Sequence, residues 1–130
     1  MTHPKKLHQE VIIWYVVPYI RKSIVDFLKE KSIKQVDIAN FLDITPSAVS
    51  QYLHSKRGNL SGDFDEKVKN KIKQIFGEKF NLEDFNSRKI ICELIYFIEQ
   101  TSICCKIHRE VEDFDKCCCD FCSARNKSLI

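Results

Sequence analysis

Cysteine is the residue type in this chain with the greatest capacity for chemistry. Seven cysteines occur among 130 residues, and six of them lie after residue 100. Two residues separate Cys119 from Cys122 in the chain, and this spacing lets both thiolates bind one metal ion from a single turn. Cys105 and His108 form a second pair with the same spacing. Together these four residues have the spacing of a closed, tetrahedral zinc site.

The other cysteines leave further ligand sets open. Four more thiols could donate to a metal: Cys92, Cys104, Cys117 and Cys118. Spare thiols also oxidise easily, which suits a sensor. Cys119 and Cys122 have the spacing of a redox pair, but no βαβ pattern surrounds them. The structural alternative is buried, unligated cysteine, which the charged segment around the adjacent cysteines disfavours.

Enzyme motifs are absent from the sequence. The four histidines are scattered, no glycine-rich phosphate loop occurs, and no serine or cysteine has a base beside it in a recognisable motif. We therefore predict that the protein is not an enzyme.

A second pattern begins at Gln35. Two helices that cross over a three-residue turn must bury positions 4, 5, 8, 10, 15 and 18 of a window of about twenty residues. Counted from Gln35, small or apolar residues occupy all six positions: Ile38, Ala39, Leu42, Ile44, Val49 and Tyr52. Position 9 is Asp43, which tolerates a left-handed backbone. The spacing predicts a helix-turn-helix, although any three-helix core can imitate it.

The second helix of this pair would direct small, hydrogen-bonding side chains outward. Gln51 can pair bidentately with an adenine edge, and the flanking cations suit phosphates. The predicted DNA-binding residues are Lys34, Gln35, Thr45, Ser47, Ser50, Gln51, His54, Lys56 and Arg57. The alternative is that these polar side chains are simply solvated.

Hydrophobic periodicity predicts five helices that would position these residues. Thr45 can cap the third helix, with Pro46 at its first position, and Asn81 can cap the fifth. Gly77 stops the fourth. The predicted helices cover residues 18–31, 34–42, from 46 to near 57, 64–76, and from 82 to near 98.

Two segments are harder to assign. The β-branched and aromatic stretch from Val11 to Val17 fits either a strand or a buried helical turn. Nothing after Glu99 has a convincing period, so we expect a bound metal rather than a core to order Thr101 to Ile130.

Charge and composition narrow the class of protein. Residues 1–62 hold nine Lys/Arg and five Asp/Glu, a net charge of +4, while residues 63–130 have a net charge of −1. The content of 44% hydrophobic and 30% charged residues excludes wholesale disorder. The longest apolar stretch, from Val11 to Ile20, is about half of what a bilayer-spanning helix needs, and no cleavage site for a signal peptide follows it. We expect no membrane segment and a cytoplasmic location, where thiols stay reduced.

A family resemblance lies in the same residues. The motif Trp14-Tyr-Val-Val-Pro-Tyr-Ile-Arg21, followed by the pattern from Gln35 to Gly58, resembles the N-terminal part of a group of archaeal helix-turn-helix transcriptional regulators. It covers about residues 9 to 60 and is similar to the DNA-binding domain of archaeal thiamine-biosynthesis regulators. Short members of the group end in a cysteine-rich segment, for which the resemblance implies an iron–sulfur cluster.

The resemblance favours a [4Fe–4S] cluster over zinc. Such a cluster needs four thiolates, here Cys92, Cys105, Cys119 and Cys122. The zinc alternative uses Cys105, His108, Cys119 and Cys122, which the spacing alone favours.

The sequence thus predicts an all-α, sequence-specific transcriptional regulator that senses redox, iron or sulfur status through the cluster. A helix-turn-helix DNA-binding domain would span residues 9–80, and residues 82–130 would form a helix plus a cysteine-rich metal-binding and dimerisation segment. Its partners would be double-stranded DNA and a second copy, because one recognition helix alone is poorly selective. The alternatives are a zinc-stabilised regulator without redox sensing, or a metal or redox carrier whose helices bind protein.

Overall fold

Every regular element is helical within residues 7–54, 58, 60 and 62–112, which the computed structural model describes. The elements are α1 (His8–Val11), a π-helical segment (Ile12–Val16), α2 (Val17–Glu30), α3 (Gln35–Leu42), α4 (Pro46–Leu53), α5 (Asp65–Phe76), a short 3-10 helix (Leu82–Asp84), α6 (Ser87–Gln100) and α7 (Ile103–Glu112). The prediction of an all-α fold is confirmed for this part of the chain.

The stretch that fitted either a strand or a helix is helical. Its π-helical turn continues α1 into α2, so the backbone is helical without a break from His8 to Glu30. A π-helix places one more residue in each hydrogen-bonded turn than an α-helix does. Val11, Ile12 and Val16 point into the core, whereas Ile13 and Trp14 remain 63% and 67% exposed.

Helix α2 is the central element of the fold. Its apolar side is fully buried at Ile20, Ile24 and Leu28, and it packs against α3, α4, α5 and α6. The four-residue spacing of Ile20, Ile24 and Leu28 keeps them on one side of the helix. Both the α3–α4 pair and the C-terminal helices are therefore held by the same element.

Aromatic rings fill one end of the core. Phe27 of α2 stacks on Phe76 of α5 at a centroid distance of 5.3 Å. Phe80 and Phe85, from the segment before α6, approach the same Phe76 ring to 4.8 and 5.0 Å. Gly77, at a φ of +79°, ends α5 and lets the chain turn back over these rings.

Two predictions about the C-terminal half are wrong. Asn81 caps only the short 3-10 helix, whereas the side chain of Asn86 caps α6 by accepting from the backbone N–H of Arg88 at 2.9 Å. The prediction that a bound metal rather than a core orders the segment after Glu99 is wrong for residues 103–112, because α7 begins at Ile103 and buries Ile103 and Ile107 in the shared core. Residues 113–130 of that segment lie outside the described residues. Two cysteines and a histidine fall between and beside the apolar residues of α7, which hides the helical period in the sequence.

The hydrophobic core includes residues from Val11 to Ile107. It therefore crosses the domain boundary that the sequence predicts near residue 81, and α6 packs against α2, α3 and α5. Within the described ranges, no helix is long and apolar enough to cross a bilayer.

Candidate functional site

The turn between α3 and α4 has a left-handed residue at its first position. Asp43 ends α3 with φ of +57° and ψ of +46°. The backbone N–H of Ile44 then donates to the carbonyl of Ala39 at 3.0 Å, which closes the last turn of α3. These angles confirm the left-handed backbone predicted for Asp43. Aspartate is one of the few residues that adopt this conformation at modest cost.

Helix α4 begins with the cap that the sequence predicts. The Thr45 hydroxyl accepts from the backbone N–H of Ala48 at 3.1 Å, and Pro46 occupies the first helical position. The side-chain amide of Gln35 donates to the Pro46 carbonyl at 3.1 Å. Gln35 and Thr45 therefore both act within the protein, where they fix the start of α4 relative to α3.

The apolar positions of the α3–α4 pair form its inner side. Five of the six predicted residues are buried, and Ile44 in the turn is half-buried. Ala39 is 1% exposed. Close packing of two helices needs a small side chain at such a point, which accounts for alanine there.

The outer side of α4 carries a polar stripe, which we define as Ser47, Ser50, Gln51 and His54. Their spacing of three, four and seven residues places them on one side of the helix. Ser47 and His54 are exposed, whereas Ser50 and Gln51 are half-buried. The side-chain amide oxygen of Gln51, Oε1, is buried and has no hydrogen-bond partner in the described part of the chain. Ser47 and His54 are thus the members most accessible to a partner.

His54 is held in a defined orientation at the end of the stripe. Its Nδ1 lies 2.8 Å from the Ser50 carbonyl oxygen, which can only accept, so Nδ1–H donates. In the neutral imidazole the lone pair is then on Nε2, and this atom can accept from an amino group on a partner.

Cations near the α3–α4 pair have two different roles. Lys34, immediately before α3, is exposed, while Lys56 and Arg57 lie outside the described residues. Lys22 of α2 donates to the Tyr52 carbonyl at 3.2 Å and to Asp26 at 3.1 Å. A cation at the C-terminal end of a helix is electrostatically favourable, so Lys22 fastens the end of α4 to α2.

The predicted metal ligands lie in different environments. Cys92 is exposed on α6, whereas Cys105 and His108 are 5% and 1% exposed on α7. Cys119 and Cys122 lie outside the described residues. Among the residues that are described, no group of three or more His, Cys, Asp or Glu side chains could hold a metal ion.

The structure brings together a different group of polar side chains, which we call the Cys104–His8–Glu99 relay. Nδ1 of His8 lies 3.7 Å from the Cys104 sulfur, and Nε2 of His8 lies 2.7 Å from a Glu99 carboxylate oxygen. Sequence reasoning missed this arrangement because His8 is 96 residues from Cys104 in the chain, and no spacing pattern joins positions so far apart.

A buried tyrosine lies on the other side of α2. The Tyr19 hydroxyl donates to the Asp65 carboxylate at the start of α5. Burial, together with the hydrogen bond and the negative charge of Asp65, raises the pKa of Tyr19 well above its usual range. This phenol therefore stays protonated and joins α2 to α5.

No protein-family model, curated protein or solved structure matches this chain.

Proposed function

We propose that the protein is a sequence-specific, DNA-binding transcriptional regulator in which α3 and α4 form a helix-turn-helix. One observation carries this proposal: the two helices are joined by a left-handed turn, and Ser47 and His54, at the two ends of the polar stripe, are exposed. A stripe of short polar side chains on an accessible helix can enter the major groove and contact base edges.

The described residues divide into two roles under this proposal. Ser47 and His54 would face the groove, with Ser50 and Gln51 reached at closer approach. Lys34, Lys56 and Arg57 would contact phosphates, which fixes the register without reading sequence. Gln35 and Thr45 would act mainly by positioning α4, since both already bond within the helix pair.

A substitution at Ser47 tests this function without weakening the fold. Ser47→Glu places a negative charge in the first turn of α4, where it interacts favourably with the helix dipole but repels DNA phosphates. We expect affinity for genomic DNA fragments, measured by fluorescence anisotropy at several salt concentrations, to fall by about tenfold or more. Ser87→Glu makes the same change in the first turn of α6 and should leave the affinity unchanged.

Two results would contradict the proposal that α4 binds DNA. One is a wild-type protein without salt-dependent affinity for any fragment, which would favour a metal or redox carrier that binds protein. The other is an equal affinity for Ser47→Glu and the wild type, which would move the DNA contact away from α4.

The proposal includes a homodimer. Ile13 and Trp14 are large, adjacent and exposed on the π-helical segment, and exposed apolar residues of this size favour contact with another protein surface. We expect Trp14→Ser to lower the dimer fraction in sedimentation experiments, and Val36→Ser, at an exposed apolar site on α3, to leave it unchanged. A wild-type protein that stays monomeric at all concentrations would contradict the proposed homodimer.

The proposal also includes metal-dependent sensing in the cytoplasm, where thiols stay reduced. Cys92, Cys105, Cys119 and Cys122 would hold a [4Fe–4S] cluster, whose assembly or loss would change operator affinity. Only two of these residues are described, so the support is the cysteine content and the family resemblance.

Metal analysis of anaerobically purified protein separates the two possible cofactors. Iron and acid-labile sulfide with visible absorption support the cluster. A colourless protein with one zinc ion per chain supports the site formed by Cys105, His108, Cys119 and Cys122 instead. Equal DNA affinity of the protein with and without the metal would contradict metal-dependent sensing but not the proposed DNA-binding function.

A further inference from the structure

The Cys104–His8–Glu99 relay lies where the two ends of the described chain meet. Glu99 is in the last turn of α6, Cys104 is in the first turn of α7, and His8 begins α1. Thr101 sits between the two C-terminal helices, and its hydroxyl accepts from the backbone N–H of Ile103 at 3.3 Å. This short connection brings Glu99 and Cys104 to opposite nitrogens of the same imidazole ring.

The chemistry of the three groups defines where the protons lie. A carboxylate only accepts hydrogen bonds, so the Glu99 contact at 2.7 Å places a proton on Nε2 of His8. The lone pair of the neutral ring is then on Nδ1, which faces the Cys104 sulfur, and the thiol donates to it. A thiol, a base within reach and a third group that orients the base are the components of an activated nucleophile.

Two further features favour reaction at this sulfur. Cys104 is in the first turn of the ten-residue helix α7, where the helix dipole stabilises negative charge on a thiolate. It is also 1% exposed, and the side chains of His8 and Glu99 are 8% and 19% exposed. Such burial excludes bulky reagents and selects for a small, uncharged one.

We propose that Cys104 is an oxidation site for hydrogen peroxide or a small organic hydroperoxide, with His8 as its base. In the reaction, Nδ1 of His8 takes the thiol proton, and the sulfur attacks the terminal peroxide oxygen. A sulfur–oxygen bond forms while the oxygen–oxygen bond breaks. The leaving oxygen takes the proton back from Nδ1 and departs as water or an alcohol. Sulfur is oxidised to the sulfenic acid by two electrons, and the peroxide is reduced.

Glu99 is the positioning residue of the site. In Glu99→Gln the side-chain amide can donate to Nε2, which moves the ring proton to Nδ1 and removes the acceptor that faces the thiol. The volume of the side chain barely changes. This substitution therefore tests the base function of His8 while it preserves the packing around Cys104.

The experiment follows each thiol of the full-length, reduced chain separately. The protein is pulsed with hydrogen peroxide, and the thiols that remain are alkylated after denaturation. Trypsin releases Cys92, Cys104 and Cys105 in one peptide, residues 90–106, and its fragment ions give the reduced fraction at each position. The chain is first treated with a chelator, so that no metal protects the other thiols. Cys92, which is exposed, and Cys105, which is buried next to Cys104, then serve as internal references.

We expect Cys104 to be lost at least about tenfold faster than Cys105, and Glu99→Gln and His8→Asn to remove this difference, because a positioned base contributes about a hundredfold or more in favourable cases. Glu110→Gln, the same chemical change at an exposed position of α7, should leave the Cys104 rate unchanged. Thermal unfolding followed by circular dichroism checks that each variant is folded.

The direction of the change distinguishes a base from a packing contact. If His8 and Glu99 only hold α1 over Cys104, their replacement loosens the cover and Cys104 oxidises faster. If His8 is the base, oxidation of Cys104 by hydrogen peroxide slows instead. A Cys104 rate equal to that of Cys105, or a faster rate in Glu99→Gln, overturns the proposal. DNA binding has no part in this assay, so its result is independent of the proposed regulator function.

Discussion

The α3–α4 pair and the α6–α7 pair use neighbouring helices in opposite ways. Between α3 and α4 the chain turns through a left-handed residue, and the polar side chains of α4 lie on the outside. Between α6 and α7 the polar side chains at the junction turn inward, where Glu99 and Cys104 meet His8 from the other end of the chain. The first pair leaves Ser47 and His54 exposed, and the second pair buries Cys104 beside His8.

This difference shows what local and distant contacts contribute. Thr45 and Asp43 act within about one turn, so their structural roles follow from spacing. The bond from Gln35 to the Pro46 carbonyl was not predicted, because the two residues are eleven positions apart. Cys104 acts on a residue 96 positions away. Helix α2 packs against α4 and α6 and therefore links the two regions.

Burial of α7 side chains should contribute as much to the free energy of unfolding as burial of side chains on the helices nearer the N-terminus. We expect Ile107→Ala to lower the free energy of unfolding by about 3 kcal/mol, since it removes a fully buried side chain. Ile72→Ala in α5, also fully buried, should cost a similar amount. Urea denaturation in the presence of a chelator measures both, and no loss in Ile107→Ala would mean that α7 is ordered by something other than its packing.

Gly58 lies close to the backbone of α2. This residue has a φ of +64°, and a Cβ there would lie 2.3 Å from the carbonyl oxygen of Pro18. We expect Gly58→Ala to destabilise the protein by about 2 kcal/mol or more. Urea unfolding measures this loss, and a loss of less than about 1 kcal/mol would show that the contact with Pro18 is not tight.

Tyr19, on helix α2, makes the stability of the folded protein depend on pH. Its pKa in the folded protein is raised by burial and by Asp65. The stability that the neutral phenol contributes is therefore complete below its ordinary pKa of about 10 and is lost as the pH rises above that value. The loss should approach about 1.4 kcal/mol per pH unit.

Urea titrations between pH 9 and pH 11 measure this slope, and Tyr19→Phe should be less steep. Tyr96→Phe, at an exposed position of α6, should keep the wild-type slope. An unchanged slope in Tyr19→Phe would assign the alkaline loss to other groups.

The helix caps provide the smallest test, with one cap in each region. Thr45→Ala and Asn86→Ala each remove a side chain that accepts from backbone N–H groups at the start of a helix. We expect a loss of about 1 kcal/mol for each in thermal or urea unfolding. Thr45→Ser and Asn86→Asp keep an acceptor and should recover most of it. A loss only at Asn86 would indicate that Gln35 alone is enough to fix the start of α4.

Much of the α3–α4 region could be predicted from the sequence. Burial of Ile38, Val49 and Tyr52, the cap at Thr45 and the left-handed backbone of Asp43 all depend on neighbours within a few positions, so a single chain reveals them. The burial of the Gln51 side-chain amide oxygen was not predictable. Helical spacing defines on which side of a helix a residue lies, but not how closely other parts of the protein cover that side.

The C-terminal region was less predictable for a physical reason. Cysteine is at once a small hydrophobic residue and a metal ligand, and composition does not distinguish these roles. Adjacent cysteines beside charged residues suggested a metal-ordered segment, yet Cys104 and Cys105 lie inside the core on α7. The cap at Asn86 rather than Asn81 was missed because both asparagines precede a possible helix start.

The sequence by itself determined the all-helical class, the approximate bounds of α2 to α5 and the polar stripe of α4, because these depend on periodicity and caps within one or two turns. Only the tertiary structure decided that α7 completes the core and that Cys104, His8 and Glu99 form one relay. Such contacts arise from the packing of helices that are far apart in the chain, and packing depends on the shape of the whole molecule rather than on the spacing of residues.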